Sequence, residues 1–113
     1  MLIEKKTFQA GDIVSLKLVS NDEIVAKLVE QDTNTVTITK PLLLSISIDE
    51  RTGKPGLQMY PFFLLGADGD EKLPISRNHI IAMVLSRDDV KSGYIHNTTG
   101  LQIPGANDKG LIV

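Results

Sequence analysis

The stretch Val36-Thr37-Ile38-Thr39-Lys40-Pro41-Leu42-Leu43-Leu44-Ser45-Ile46-Ser47-Ile48 decides the fold class. Its even positions are Val36, Ile38, Lys40, Leu42, Leu44, Ile46 and Ile48, all aliphatic except Lys40. Its odd positions are Thr37, Thr39, Pro41, Leu43, Ser45 and Ser47. A period of two sends successive side chains to opposite faces of an extended backbone. The spacing therefore predicts a half-buried strand with the aliphatic face inward and a Thr/Ser face outward, a composition suited to a pleated surface. Pro41 has no N–H for a ladder, so the strand is expected to bend or bulge there.

The same period recurs on both sides. Ile13 to Val19 places Val14, Leu16 and Leu18 on one face, and His79 to Leu85 sets Ile81, Met83 and Leu85 opposite Ile80, Ala82 and Val84. The second run is apolar on both sides, which predicts that both faces are covered. Polar turns separate the runs: residues 49–56 as a hairpin loop before Leu57, Asp68-Gly69-Asp70 as a tight reversal, and Gln31-Asp32-Thr33-Asn34 before Thr35. Residues 20–29 read two ways. Ser20-Asn21-Asp22-Glu23 has the form of a capping box, and Ile24, Val25, Leu28 and Val29 share a helical face. Ile24, Ala26 and Leu28 also alternate with Val25, Lys27 and Val29, and the neighbouring strands favour that reading. Five short strands joined by tight loops indicate an all-β fold, a small barrel over residues 1–85. After Leu85 the pattern changes. Ser86 to Lys91 allows one helical turn, and the Gly-, Asn- and Thr-rich stretch beyond it predicts an extended C-terminal tail, so residues 86–113 read as a partly docked, partly mobile tail.

Composition narrows the function classes. At 113 residues the chain has room for one small domain. A net charge of -2 argues against a basic coat for nucleic acid, and the absence of cysteine removes disulfides, thiolate chemistry and Cys-based zinc sites. The start lacks the apolar core of a signal peptide, and the longest apolar run, 59–65, is broken by Pro61 and falls short of the ~20 residues of a membrane span. A soluble, cytoplasmic protein is expected. Only two histidines are present, and no His-Glu-x-x-His spacing, complete calcium loop or phosphate loop occurs. The expectation is no catalytic residue, no metal, no cofactor and no enzyme activity. His79, at the start of an apolar strand, is expected to be a hydrogen-bonded structural residue.

Two polar loops remain, Asp32-Thr33-Asn34-Thr35 and Ser76-Arg77-Asn78-His79. Arginine can stack on a base or bind phosphate, and Asn or Asp can hydrogen-bond a base edge. The same residue types are also ordinary turn formers.

Val14 to Leu18, Ile24 to Leu28 with Asp32 after it, and Ile75 to Met83 resemble the two motifs of the Sm-like family, which includes the Sm and LSm proteins and Hfq. The resemblance runs from Asp12 to Leu85 and is nearest to a phage-encoded (cyanophage-type) branch. Ser76 to Ile80 resembles the Tyr-Lys-His-Ala-Ile corner of Hfq, with Arg77 at the lysine and Asn78 at the histidine. Asn21 and Ala26 stand where the family usually has glycine, and Val36 falls near its base-binding asparagine, leaving Asn34 two residues early. The resemblance implies a strongly bent, five-stranded SH3-like barrel. Its fourth strand, near Leu57 to Leu65, would pair with the fifth, Ile80 to Leu85, of the next copy to close a homo-oligomeric ring. It also implies single-stranded, uridine-rich RNA at the pore, with Asp32, Asn34 and Thr35 on bases and Arg77 and Asn78 stacking and touching phosphate. The alternative is a ring that serves as a structural or adaptor module in phage assembly and binds proteins rather than RNA.

Overall fold

A computed structural model describes residues 2–3, 7–63, 66 and 69–99. The chain is mostly antiparallel β-sheet. Its strands are β1 (Leu2–Ile3), β2 (Ile13–Leu18), β3 (Glu23–Gln31), β4 (Thr35–Ile48), β5 (Pro55–Pro61), β6 (Leu73–Ser76) and β7 (Ile80–Leu85), followed by one helix, α1 (Asp88–Thr98). Their order in the sheet is β1-β7-β2-β3-β4-β5, with β6 also on β4. Residues 23–31 form a strand, as the alternation of Ile24, Ala26 and Leu28 favours. The Ser20 to Glu23 segment is the turn before it. Asn21 there takes a left-handed φ of 79, which a short polar side chain tolerates where glycine would otherwise be used.

The long strand β4 bulges at Pro41, as its missing N–H predicts. Lys27 faces Thr39 and Val25 faces Leu42, so two steps along β3 oppose three along β4. Lys40 takes up the extra residue with a φ of 53. A shift of one residue exchanges the two faces of a strand. Before the bulge Val36 and Ile38 enter the main core with Val14, Leu16, Leu18, Ile24, Ala26, Leu28, Ile80 and Met83. Beyond it the odd residue Leu43 packs against that core, and Leu42 and Leu44 turn to a second cluster with Ile13, Val25, Val90 and Tyr94. The expected single aliphatic face from Val36 to Ile48 is therefore split between two layers. Each fully buried aliphatic side chain removes apolar area from water worth about 1.5–3 kcal/mol.

Among the described residues seven strands stand where five were expected, for two reasons. The first is β1, which pairs with β7 through Leu2–Ala82 and Ile3–Met83. The second is β6, Leu73–Ser76, which lies beyond the expected fourth strand near Leu57 to Leu65 in a stretch read as the corner before the last strand. β5 pairs with β4 from Pro61–Leu42 to Pro55–Ile48, and β6 continues along the same side of β4 from Leu73–Ile38 to Ser76–Thr35. The two are halves of one broken edge strand, interrupted opposite the bulge. Leu64, Leu65 and Asp68, which the sequence reading places in the expected fourth strand and the following turn, lie outside the described residues. β7 also departs from simple alternation. Leu18 faces Ile80 and Lys17 faces Ala82, so Ile81 is the extra residue of a second bulge. Ile80 and Met83 point into the core, Ala82, Val84 and Leu85 are half-buried and Ile81 is 49% exposed, so the expected cover on both faces of this strand is only partial.

Residues 88–98 are helical rather than extended, a correction to the expected tail. Gly93, Asn97 and Thr98 are poor helix formers. The helix exists because Val90 and Tyr94, one turn apart, bury against Ile13 and Val25. Asp88 and Asp89 sit in its first turn, where the helix dipole favours negative charge, and Arg87 holds the Asp89 carboxyl below the usual carboxylate range through a paired hydrogen bond. The pair is exposed, so water screens it and it contributes little to stability. The tail beyond residue 99 lies outside the described residues.

Candidate nucleic-acid interface

Each polar loop builds itself from its own short side chains. In the loop between β3 and β4, Oδ1 of Asp32 accepts hydrogen bonds from the backbone N–H groups of Asn34 and Thr35, both at 2.8 Å. The Asp32 N–H donates to the Thr35 carbonyl at 2.9 Å. A carboxylate that satisfies two amides two and three residues on is the normal device for reversing a chain at aspartate. Between β6 and β7 the chain makes a single 3₁₀ turn, Arg77–His79. There the Ser76 hydroxyl accepts from the Asn78 N–H at 3.2 Å, and the Ile80 N–H donates to the Arg77 carbonyl. The His79 carbonyl accepts from the Val19 N–H at 2.9 Å, which ties this corner to the end of β2.

The sheet brings the two loops together. Thr35 is the register partner of Ser76, and the Arg77 N–H donates to the Asn34 carbonyl at 3.0 Å. The Arg77 guanidinium completes the junction. Its Nε donates to the Asp32 carbonyl at 2.6 Å and its Nη2 to Oε1 of Gln31 at 2.7 Å. All five residues singled out from the sequence, Asp32, Asn34, Thr35, Arg77 and Asn78, thus meet along one edge. Their parts differ from the simple expectation. Asp32 spends one carboxylate oxygen on its own turn, and Arg77 clamps loop to loop. The side-chain amides of Asn34 and Asn78 are exposed and take no hydrogen bond among the described residues. His79 is a correction: its side chain is exposed and has no hydrogen-bond partner among the described residues, so its structural part is played by its backbone carbonyl. An exposed imidazole next to Asn78 was not foreseeable from apolar spacing, because His79 belongs to the 3₁₀ turn and not to the strand whose alternation was extended to it.

Away from these loops, a cleft of about 350 Å³ lies beside the β4 bulge, lined by Pro41, Leu42, Pro61, Phe62, Phe63 and Asn97 among others. A broader groove of about 700 Å³ lies between the β4–β5 hairpin and the start of α1, with Leu44, Ile46, Leu57, Val84, Leu85 and Val90 in its walls. Near the first cleft the Tyr94 hydroxyl donates to the carbonyls of Lys40 at 2.9 Å and Thr39 at 3.3 Å. It supplies a partner for the bulged backbone at a half-buried position. Burial pushes the phenol up to about 12. Among the described residues no cluster of His, Asp and Glu is placed to hold a metal ion, and no helix is long and apolar enough to cross a membrane.

No protein-family model matches this chain, and no curated protein matches its sequence.

Proposed function

We propose that the chain is a subunit of an Sm-like homo-oligomeric ring that binds single-stranded RNA on the surface formed by the two joined loops. The observation that carries this reading is the junction itself: Arg77 holds the Asp32 to Thr35 loop against the Ser76 to His79 corner, and the free amides of Asn34 and Asn78 stand on either side. Amides of this kind can both donate to and accept from the edge of an unpaired base, which is how sequence is read on single strands. The mostly antiparallel sheet supports the reading, although the strand order takes β6 in place of the expected fourth strand near Leu57 to Leu65. β2, β3, β4, β6 and β7 are five antiparallel strands in the order β7-β2-β3-β4-β6, with the corner between the last two. The broken edge formed by β5 and β6 pairs on one side only among the described residues, and we assign it to β7 of the next copy. Closing such a head-to-tail contact gives a ring, and repetition of a weak site around a ring raises avidity, which offsets the modest charge of each subunit.

A titration with oligouridine, oligoadenine and single-stranded DNA at two salt concentrations tests the reading. Wild type binds oligouridine most tightly, and the double variant Asn34→Ala/Asn78→Ala loses at least tenfold in affinity with its unfolding midpoint unchanged. Equally poor binding of all three ligands by wild type overturns the RNA reading. Arg77→Ala is a weaker test, since it opens the junction as well as removing a cation.

The alternative, an adaptor ring that binds proteins, draws on a different observation. On the projecting β4–β5 hairpin, Ile46 faces Leu57 and Ile48 faces Pro55, with Ile46 72% and Ile48 59% exposed. An aliphatic face on a two-stranded arm is a protein-binding surface in chemistry.

A further inference from the structure

β7 is flanked on its inner side by β2 over five register pairs, from Val14–Leu85 to Leu18–Ile80. Its outer side carries only β1, through Leu2–Ala82 and Ile3–Met83, and this is the one parallel pairing among the described strands. Parallel ladders are slightly weaker per residue than antiparallel ones, and a ladder of two residues forms few hydrogen bonds. The remaining positions of this edge, at Ile80, Ile81, Val84 and Leu85, have no register partner on that side among the described residues. An apolar six-residue strand with an open edge invites indiscriminate pairing, and natural sheets protect such edges.

We infer that β1 is a removable strap: in the free chain it covers the centre of β7, and a second copy of this chain displaces it on assembly. The inference rests on the ring reading above and adds to it a competition at the assembling edge. The strap is tethered in the same chain only nine residues ahead of β2, so its effective concentration at β7 is high and it holds the edge when the protein is dilute. The β5–β6 edge of a neighbour, with strands of seven and four residues, has length to pair with more of β7 than the two positions β1 holds, so it wins once subunit concentration rises. The strap thereby sets a concentration threshold for assembly and screens β7 from wrong partners.

The test is light scattering across a concentration series on three full-length proteins: wild type, the double variant Leu2→Pro/Ile3→Pro, and Leu2→Cys/Ala82→Cys. Proline removes both strap N–H donors, and the midpoint of assembly falls roughly tenfold, the equivalent of one or two net backbone hydrogen bonds. The cysteine pair joins register partners in a chain with no other thiol. Oxidised, it stays monomeric at concentrations where wild type assembles, and reduction restores assembly. Superimposable curves for wild type and the proline variant, or full assembly of the oxidised pair, overturn the strap and leave the ring standing. If wild type, the proline variant and the reduced pair all remain monomeric at every concentration, the ring reading fails and the strap falls with it.

Discussion

The two halves of β4 have nearly the same sequence chemistry and opposite fates. Val36 and Ile38, before the bulge, are fully buried between β3 and β6; Ile46 and Ile48, after it, stand on a hairpin that β3 no longer flanks. Alternation alone does not distinguish them. What separates them is one extra residue at Lys40 and Pro41, which exchanges the faces, and the end of β3 at Glu23, which removes the neighbour. A period of two therefore reports that a strand has an apolar side, and the rest of the molecule decides whether anything covers it.

Truncation is the strongest way to break this contrast. Ile38→Ala should cost about 2–5 kcal/mol of stability, the usual range for emptying a core site, and Ile46→Ala should change it by less than about 0.5 kcal/mol, both measured by urea unfolding of dilute protein. Comparable losses at the two sites would show that the arm is covered even in the single chain.

The hinge between the halves gives the next largest effect. Tyr94→Phe removes the donor to the Lys40 and Thr39 carbonyls without changing the ring's packing, and should cost about 1–3 kcal/mol. It should also alter the alkaline limb. The folded phenol titrates near 12, above the ordinary value near 10, so its contribution to stability is complete below about pH 10 and is lost as pH rises toward 12. In Tyr94→Phe that part of the decline disappears, which unfolding midpoints measured between pH 9 and 12 would reveal.

A smaller effect comes from the bulge itself. Lys40→Val places a β-branched residue at a left-handed φ of 53 and should destabilise by about 1–2 kcal/mol, while Lys40→Gly should be near neutral. Equal losses for both would assign Lys40 a side-chain role instead. The smallest expected change in stability is at Asn34 and Asn78, whose side chains hold nothing in place among the described residues; their substitution should appear in RNA affinity alone.

Much of this was legible in advance. The inward faces of β2 and the first half of β4, the polar hairpin tips and the bulge at Pro41 follow from local chemistry. The choice of Asp32, Asn34, Thr35, Arg77 and Asn78 rested on the family resemblance, since local chemistry alone makes them ordinary turn residues. Their division of labour was not legible: that Arg77 is a clamp, and that Asn34 and Asn78 are the exposed groups, depends on pairing Thr35 with Ser76 across the sheet. The helix was also missed, since its propensity is poor and only the pocket formed by Ile13 and Val25 makes burial of Tyr94 worthwhile.

The order of apolar and polar residues by itself determined that this protein is built of strands, where they turn and which backbone position must bulge. Those outcomes depend on neighbours a few residues apart: a period of two, a missing N–H, a carboxylate near its own amides. Tertiary structure alone decided which apolar face is covered, that residues 88–98 coil into a helix, and that two loops some forty-five positions apart become one surface. The reason is that burial is a property of the assembled layers, and a residue carries no record of what will be packed against it.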